Sequence, residues 1–70
     1  VPYVNIKVTR EGVTPEQKAD LIRATTDALV RVLGKDPATT FVVIDEVDLE
    51  AWGVGGVPVD AYRRGAPKTG

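Results

Sequence analysis

The chain has 70 residues, with 9 Lys and Arg against 10 Asp and Glu for a formal charge of -1, and it has neither cysteine nor histidine. These numbers exclude disulfide staples, a structural zinc centre of the usual kind and any cysteine- or histidine-based catalysis, and they leave no basic footprint for nucleic acid or an anionic membrane surface. No apolar run nears the ~20 residues of a membrane span and no signal-peptide pattern opens the chain, so a cytoplasmic protein without nucleic-acid or membrane partners is expected. A domain this short buries only about 60% of the surface that its unfolded chain exposes. Its core needs a supplement, and self-association is the one left.

From Tyr3 to Thr9 apolar and polar residues alternate, with Val4, Ile6 and Val8 on one face, as in a half-buried strand. Gly12 interrupts the next stretch, and Thr14-Pro15-Glu16-Gln17 then reads as a capping box with proline at the first helical position. The stripe Ala19, Leu21, Ile22, Thr25, Ala28, Leu29, Val32 and Leu33 predicts a helix over Pro15 to Leu33 that covers a sheet. Gly34 suits a left-handed cap, and Asp36-Pro37 forbids continuation.

Thr39 to Asp45 reads as a second strand whose Phe41-Val42-Val43-Ile44 segment is apolar on both faces. Strand, helix and strand form a βαβ unit of the α/β class, with parallel strands and a right-handed crossover. One helix covers one sheet face. The other needs a partner that so short a chain cannot supply, which is a second reason to expect an oligomer. Val47 to Trp52 reads as a turn or short helix, Gly53 to Pro58 as a small hairpin, and the segment from Asp60 onward as aperiodic, with 65–70 a mobile tail. The whole chain, 1–70, reads as one domain.

Several residue groups carry possible chemistry. Asp45, Glu46, Asp48 and Glu50 lack both a histidine and calcium-loop spacing and read as a solvated acidic turn, so no metal is expected. The glycines from Gly53 to Gly56 follow no strand-to-helix transition and lack a Walker lysine, so they read as a hairpin rather than a phosphate loop. Pro2, taken alone, is a strand-initiating proline.

Taken together, Pro2 at the head of the first strand, Thr14-Pro15-Glu16-Gln17-Lys18, Asp36-Pro37 before a Val/Ile strand, and Trp52-Gly53-Val54-Gly55-Gly56 resemble the short-chain 4-oxalocrotonate tautomerase group of the tautomerase superfamily. The resemblance runs from Pro2 to Arg64. It implies a cofactor-independent isomerase built from βαβ protomers, paired into dimers and assembled into a homohexamer as a trimer of dimers. It also implies that Pro2 is the general base and acid, moving a proton on a small keto-enol or unsaturated keto acid. An α-amine has an unperturbed pKa of roughly 8, and partial burial moves it toward neutrality, where a proton shuttle works best.

The mechanism needs a free Pro2 nitrogen, whereas Val1 precedes it and an amide nitrogen is not basic. The expectation is that Val1 stands for an initiator methionine that is trimmed. If Val1 is retained, the alternative is a non-catalytic oligomeric scaffold or binding subunit. A second alternative is a hydratase- or dehalogenase-like activity on unsaturated acids, which needs a water-activating carboxylate.

The family's substrate-binding arginines carry over in part. Val13 lies nearest the first, with Arg10 a substitute through a one-residue insertion or else a solvated strand end. Phe41 stands at the second, so a dicarboxylate is less suited than a monocarboxylate or a neutral or phenyl-bearing keto-enol. Trp52 corresponds to the family's apolar wall, with subunit packing as its other reading. Arg63-Arg64 either closes the site or lies in solvent.

Overall fold

The structure is a computed structural model and describes residues 1–65. A seven-residue strand β1 (Tyr3–Thr9) leads to α1 (Pro15–Leu33), and a parallel strand β2 (Phe41–Val47) returns beside β1. A short hairpin of β3 (Gly53–Val54) and β4 (Val57–Pro58) follows, and α2 (Val59–Arg63) closes the described chain. The α/β class, the βαβ order and the hairpin are as expected.

Local chemistry sets the bounds of α1. The Thr14 hydroxyl accepts from the Gln17 N–H at 3.1 Å, and the Gln17 side chain accepts from the Thr14 N–H at 2.9 Å. This is the reciprocal capping box read from the sequence. At the other end Gly34 takes a left-handed φ of 66° and donates to Val30 O at 3.0 Å.

The second strand starts two residues later than expected, at Phe41 rather than Thr39, and runs to Val47 rather than Asp45. Asp36 is the cause. Its carboxylate accepts from the Ala38 N–H, and the hydroxyls of Thr39 and Thr40 donate to its carbonyl, so Pro37–Thr39 winds into a 3-10 turn. A proline with short hydroxyl residues offers the backbone a local alternative to the sheet ladder.

The register pairs Tyr3 with Phe41, Asn5 with Val43 and Lys7 with Asp45 on one sheet face, and Val4 with Val42, Ile6 with Ile44 and Val8 with Glu46 on the other. The second set faces α1, because Lys18 of α1 reaches Glu46 at 2.7 Å. The first set has no covering layer among the described residues of the protomer: Tyr3 is 64% exposed, Phe41 56% and Val43 41%. Leu21, Ile22, Val32 and Leu33 of α1 are also exposed, since a two-stranded sheet is narrower than the helix's apolar stripe. Asp45 and Glu46 lie in β2, on opposite faces, rather than in an acidic turn.

The protomer is thin. Its extents are 47 × 26 × 15 Å, and its radius of gyration of 16.1 Å exceeds the roughly 11 Å of a compact chain this long. Val59, 6% exposed, is the only buried apolar residue among those described. It opens α2, where the sequence pattern predicts aperiodic chain, and its N–H donates to Trp52 O at 2.7 Å. A five-residue helix is too short to show a period. Of the expected tail, 65–70, Gly65 donates to Tyr62 O at 3.1 Å, and the rest lies outside the described residues.

Candidate active site

Pro2 immediately precedes β1, half-buried, and its carbonyl accepts from the Phe41 N–H at 3.0 Å. That bond is the first rung between the strands, so the start of β2 fixes the backbone at Pro2. Tyr3 and Phe41, paired in register, stand next to it on the open sheet face.

Arg10 closes the other end of the ladder, with its N–H donating to Val47 O at 2.8 Å. The seven residues of β1 separate it from Pro2, a span of about 26 Å over eight steps at the ~3.3 Å rise of a parallel strand. Trp52 lies at the Arg10 end as well: its carbonyl holds the first residue of α2, and Arg63 of α2 pairs with Glu11, next to Arg10. Within one protomer the fold therefore gathers Arg10 and Trp52 at one end and Pro2 at the other.

The charges around Arg10 form a network. Its Nε donates to Asp48 Oδ1 at 2.8 Å, an Nη donates to the Glu46 carbonyl at 3.2 Å, and the other Nη lies 3.7 Å from Glu46 Oε2. The hydrogen bond to Asp48, then that residue's charge, raises the Arg10 pKa. Glu46 accepts from Lys18, and this bond, ahead of the opposing effect of burial, lowers its carboxyl below the ordinary glutamate range.

Nearby, Glu11 accepts from both Thr9 and Arg63, and the bond to Arg63 is the main cause of its lowered pKa. Arg64 lies 3.5 Å from Asp60. On the open sheet face Asp45 accepts from Asn5 at 2.9 Å and Lys7 at 3.0 Å, which lowers its pKa, chiefly through Asn5. Val13 is half-buried in the loop before α1.

Sequence reasoning missed Glu46 and Asp48 as the holders of Arg10 and Glu11 as the partner of Arg63. Their separations of 36 or 38 residues, and of 52, leave no local pattern to find.

A βαβ unit with a proline at the head of its first strand, an open sheet face and a terminal hairpin is the architecture of a tautomerase. The chain belongs to that family: the family model described as tautomerase enzyme matches residues 2–62. Among its relatives is a probable tautomerase K2 of Dickeya dadantii, 53% identical over 66 residues that make up 94% of this chain and 98% of that one.

Among solved structures, DmpI from Helicobacter pylori superposes with a TM-score of 0.85 at 45% identity, covering 90% of this chain and 97% of that one. A heterohexamer 4-oxalocrotonate tautomerase from Chloroflexus aurantiacus superposes at 0.77 with 32% identity, covering 86% and 95%. Tautomerase, an isomerase activity, is thus the family's chemistry. No described helix is long and apolar enough to cross a membrane.

Proposed function

We propose that the chain is a cofactor-independent tautomerase whose base is the secondary amine of Pro2, freed by removal of Val1, and whose active site is shared between copies of the chain. The observation that carries this reading is the place of Pro2 in a tautomerase fold, half-buried at the head of β1 with its carbonyl tied to Phe41. Burial disfavours the charged amine, and a neutral amine takes a proton from the hydroxyl or carbon of a keto-enol or unsaturated keto acid. The same nitrogen, now protonated, returns the proton at another carbon.

Negative charge develops on the substrate oxygen during this transfer and needs a cation. Arg10 is the candidate, both for that oxygen and as the clamp for the substrate's carboxylate, and it stands at the far end of its own strand from Pro2. A second copy running the opposite way along β1 would bring its Arg10 and Trp52 to this Pro2. The open sheet face and the overhanging stripe of α1 support such an assembly, as does the heterohexamer among the solved relatives. Hexameric order as a trimer of dimers follows the family resemblance. Trp52 then serves as an apolar wall that lowers the dielectric around the amine. Phe41, exposed beside Pro2 where the family's second arginine would lie, favours a substrate with an aryl or apolar arm.

Neither the scaffold reading nor the hydratase reading gains support from the fold or from the relatives. The test is the intact mass of the natively expressed protein, with amino-terminal sequencing, followed by ketonisation of phenylenolpyruvate and 2-hydroxymuconate. The expected result is a chain that begins at Pro2, with Pro2→Ala slowing turnover by about 10²-fold or more. A retained Val1, or a Pro2→Ala variant as fast as the parent, overturns the proline mechanism.

A further inference from the structure

Every nitrogen of the Arg10 guanidinium has an acceptor or a carboxylate nearby, and the two acids that face it differ. Glu46 has a side chain only 15% exposed and is anchored independently by Lys18 at 2.7 Å. Asp48 is 58% exposed, and among the described residues its carboxylate contacts Arg10 alone, at 2.8 Å. It caps no turn, although it stands at the head of the 3-10 turn Leu49–Ala51. Rotating the Asp48 side chain away therefore breaks one exposed ion pair and no other polar contact among the described residues. Moving Glu46 would strand Lys18 in a half-buried position.

The four side chains Arg10, Lys18, Glu46 and Asp48 carry two positive and two negative charges, so the cluster is formally neutral as it stands. A guanidinium edge binds one carboxylate well, and in this structure Asp48 holds the Nε position. We propose that Asp48 is an internal carboxylate that competes with the substrate's carboxylate for Arg10 and so sets the site against dicarboxylates. The inference rests on Arg10 being the substrate clamp, and it makes Asp48 a positioning residue that acts through Arg10. An arriving carboxylate must displace Asp48 and leave it unpaired beside the bound anion. A second carboxylate on the substrate adds repulsion from the displaced aspartate, whereas an aryl or apolar arm does not.

The experiment compares kcat and KM of the parent oligomer with Asp48→Asn and Asp48→Ser on three enols: 2-hydroxymuconate with two carboxylates, phenylenolpyruvate with one, and the enol of phenylacetaldehyde with none. The expected result is a KM for 2-hydroxymuconate about two- to five-fold lower, the range of a removed exposed ion pair. The KM for phenylenolpyruvate should fall less and that for the carboxylate-free enol should not move. Asp48→Glu restores the parent KM.

A purely structural pair would instead lower the melting temperature and kcat on all three substrates without improving any KM. That outcome, while Arg10→Ala still raises KM for both acids, overturns the Asp48 inference alone. If Arg10→Ala leaves KM for the acids unchanged, the clamp reading fails and the inference falls with it.

Discussion

Pro2 and Arg10 bracket the same strand: the Pro2 carbonyl accepts from Phe41 at one end of the β1–β2 ladder, and the Arg10 N–H donates to Val47 at the other. A rigid strand of this length cannot bring both to one small substrate, and the relation makes a site shared between copies testable by mixing.

A chain carrying Pro2→Ala and one carrying Arg10→Ala, each crippled alone, should regain activity when coassembled. In a mixed pair one site collects both defects and the other has neither. With random pairing half the pairs are mixed, so about a quarter of the parent activity should return. A site built within one protomer gives no recovery, and titration of activity against mixing ratio distinguishes the two.

The open sheet face should be an interface. Tyr3, Phe41 and Val43 expose a contiguous apolar surface that a protomer with one buried apolar residue among those described does not cover. Sedimentation of the parent should give a mass several times the 7.5 kDa chain, with a melting temperature that rises with concentration. Val43→Asp should shift the population toward protomer and lower the melting temperature. A parent that sediments as a 7.5 kDa species with concentration-independent melting contradicts the assembly.

Acid should loosen the fold through its paired carboxylates. Lys18, Arg63 and Asn5 are the leading causes that hold Glu46, Glu11 and Asp45 below their ordinary values. A depressed folded pKa contributes stability that is present above the unfolded value and lost as pH falls through the folded one. Melting temperature should therefore hold from neutrality to about pH 4.5 and drop below it. Glu46→Gln should flatten that drop, as thermal melts across the range would read. An equally steep fall in the variant assigns the acid sensitivity elsewhere.

The start of α1 depends on a side chain that the sequence announces. Thr14→Ala removes the hydroxyl acceptor of the Gln17 N–H and should cost about 1 kcal/mol, measured by urea unfolding at fixed protein concentration. Thr14→Ser should recover most of it. An unchanged midpoint in the alanine variant would mean that water replaces the cap at no cost.

Elements whose information is local were legible in the chain. The alternation from Tyr3 to Thr9, the Thr14–Gln17 box and the Gly34 cap gave β1 and α1 with their bounds, and the glycines placed the hairpin of β3 and β4, because each is signalled by a pattern within one stretch of sequence. The start of β2 was misplaced where Asp36 and two threonines compete with the ladder, and α2 was missed because a single turn has no period. The need for partners was also readable, since a run that is apolar on both faces in a 70-residue chain outstrips what one helix can cover.

What only the tertiary structure decided is how the candidate site is divided and which charges are spoken for. Parallel pairing of β1 and β2 puts Pro2 at one end and Arg10 with Trp52 at the other, and it brings Asp48 and Glu46 to Arg10 across 36 to 38 residues of sequence. Composition counts cations and carboxylates but says nothing of their neighbours. Coulomb and hydrogen-bond energies depend on separations in space, and chain folding alone sets those.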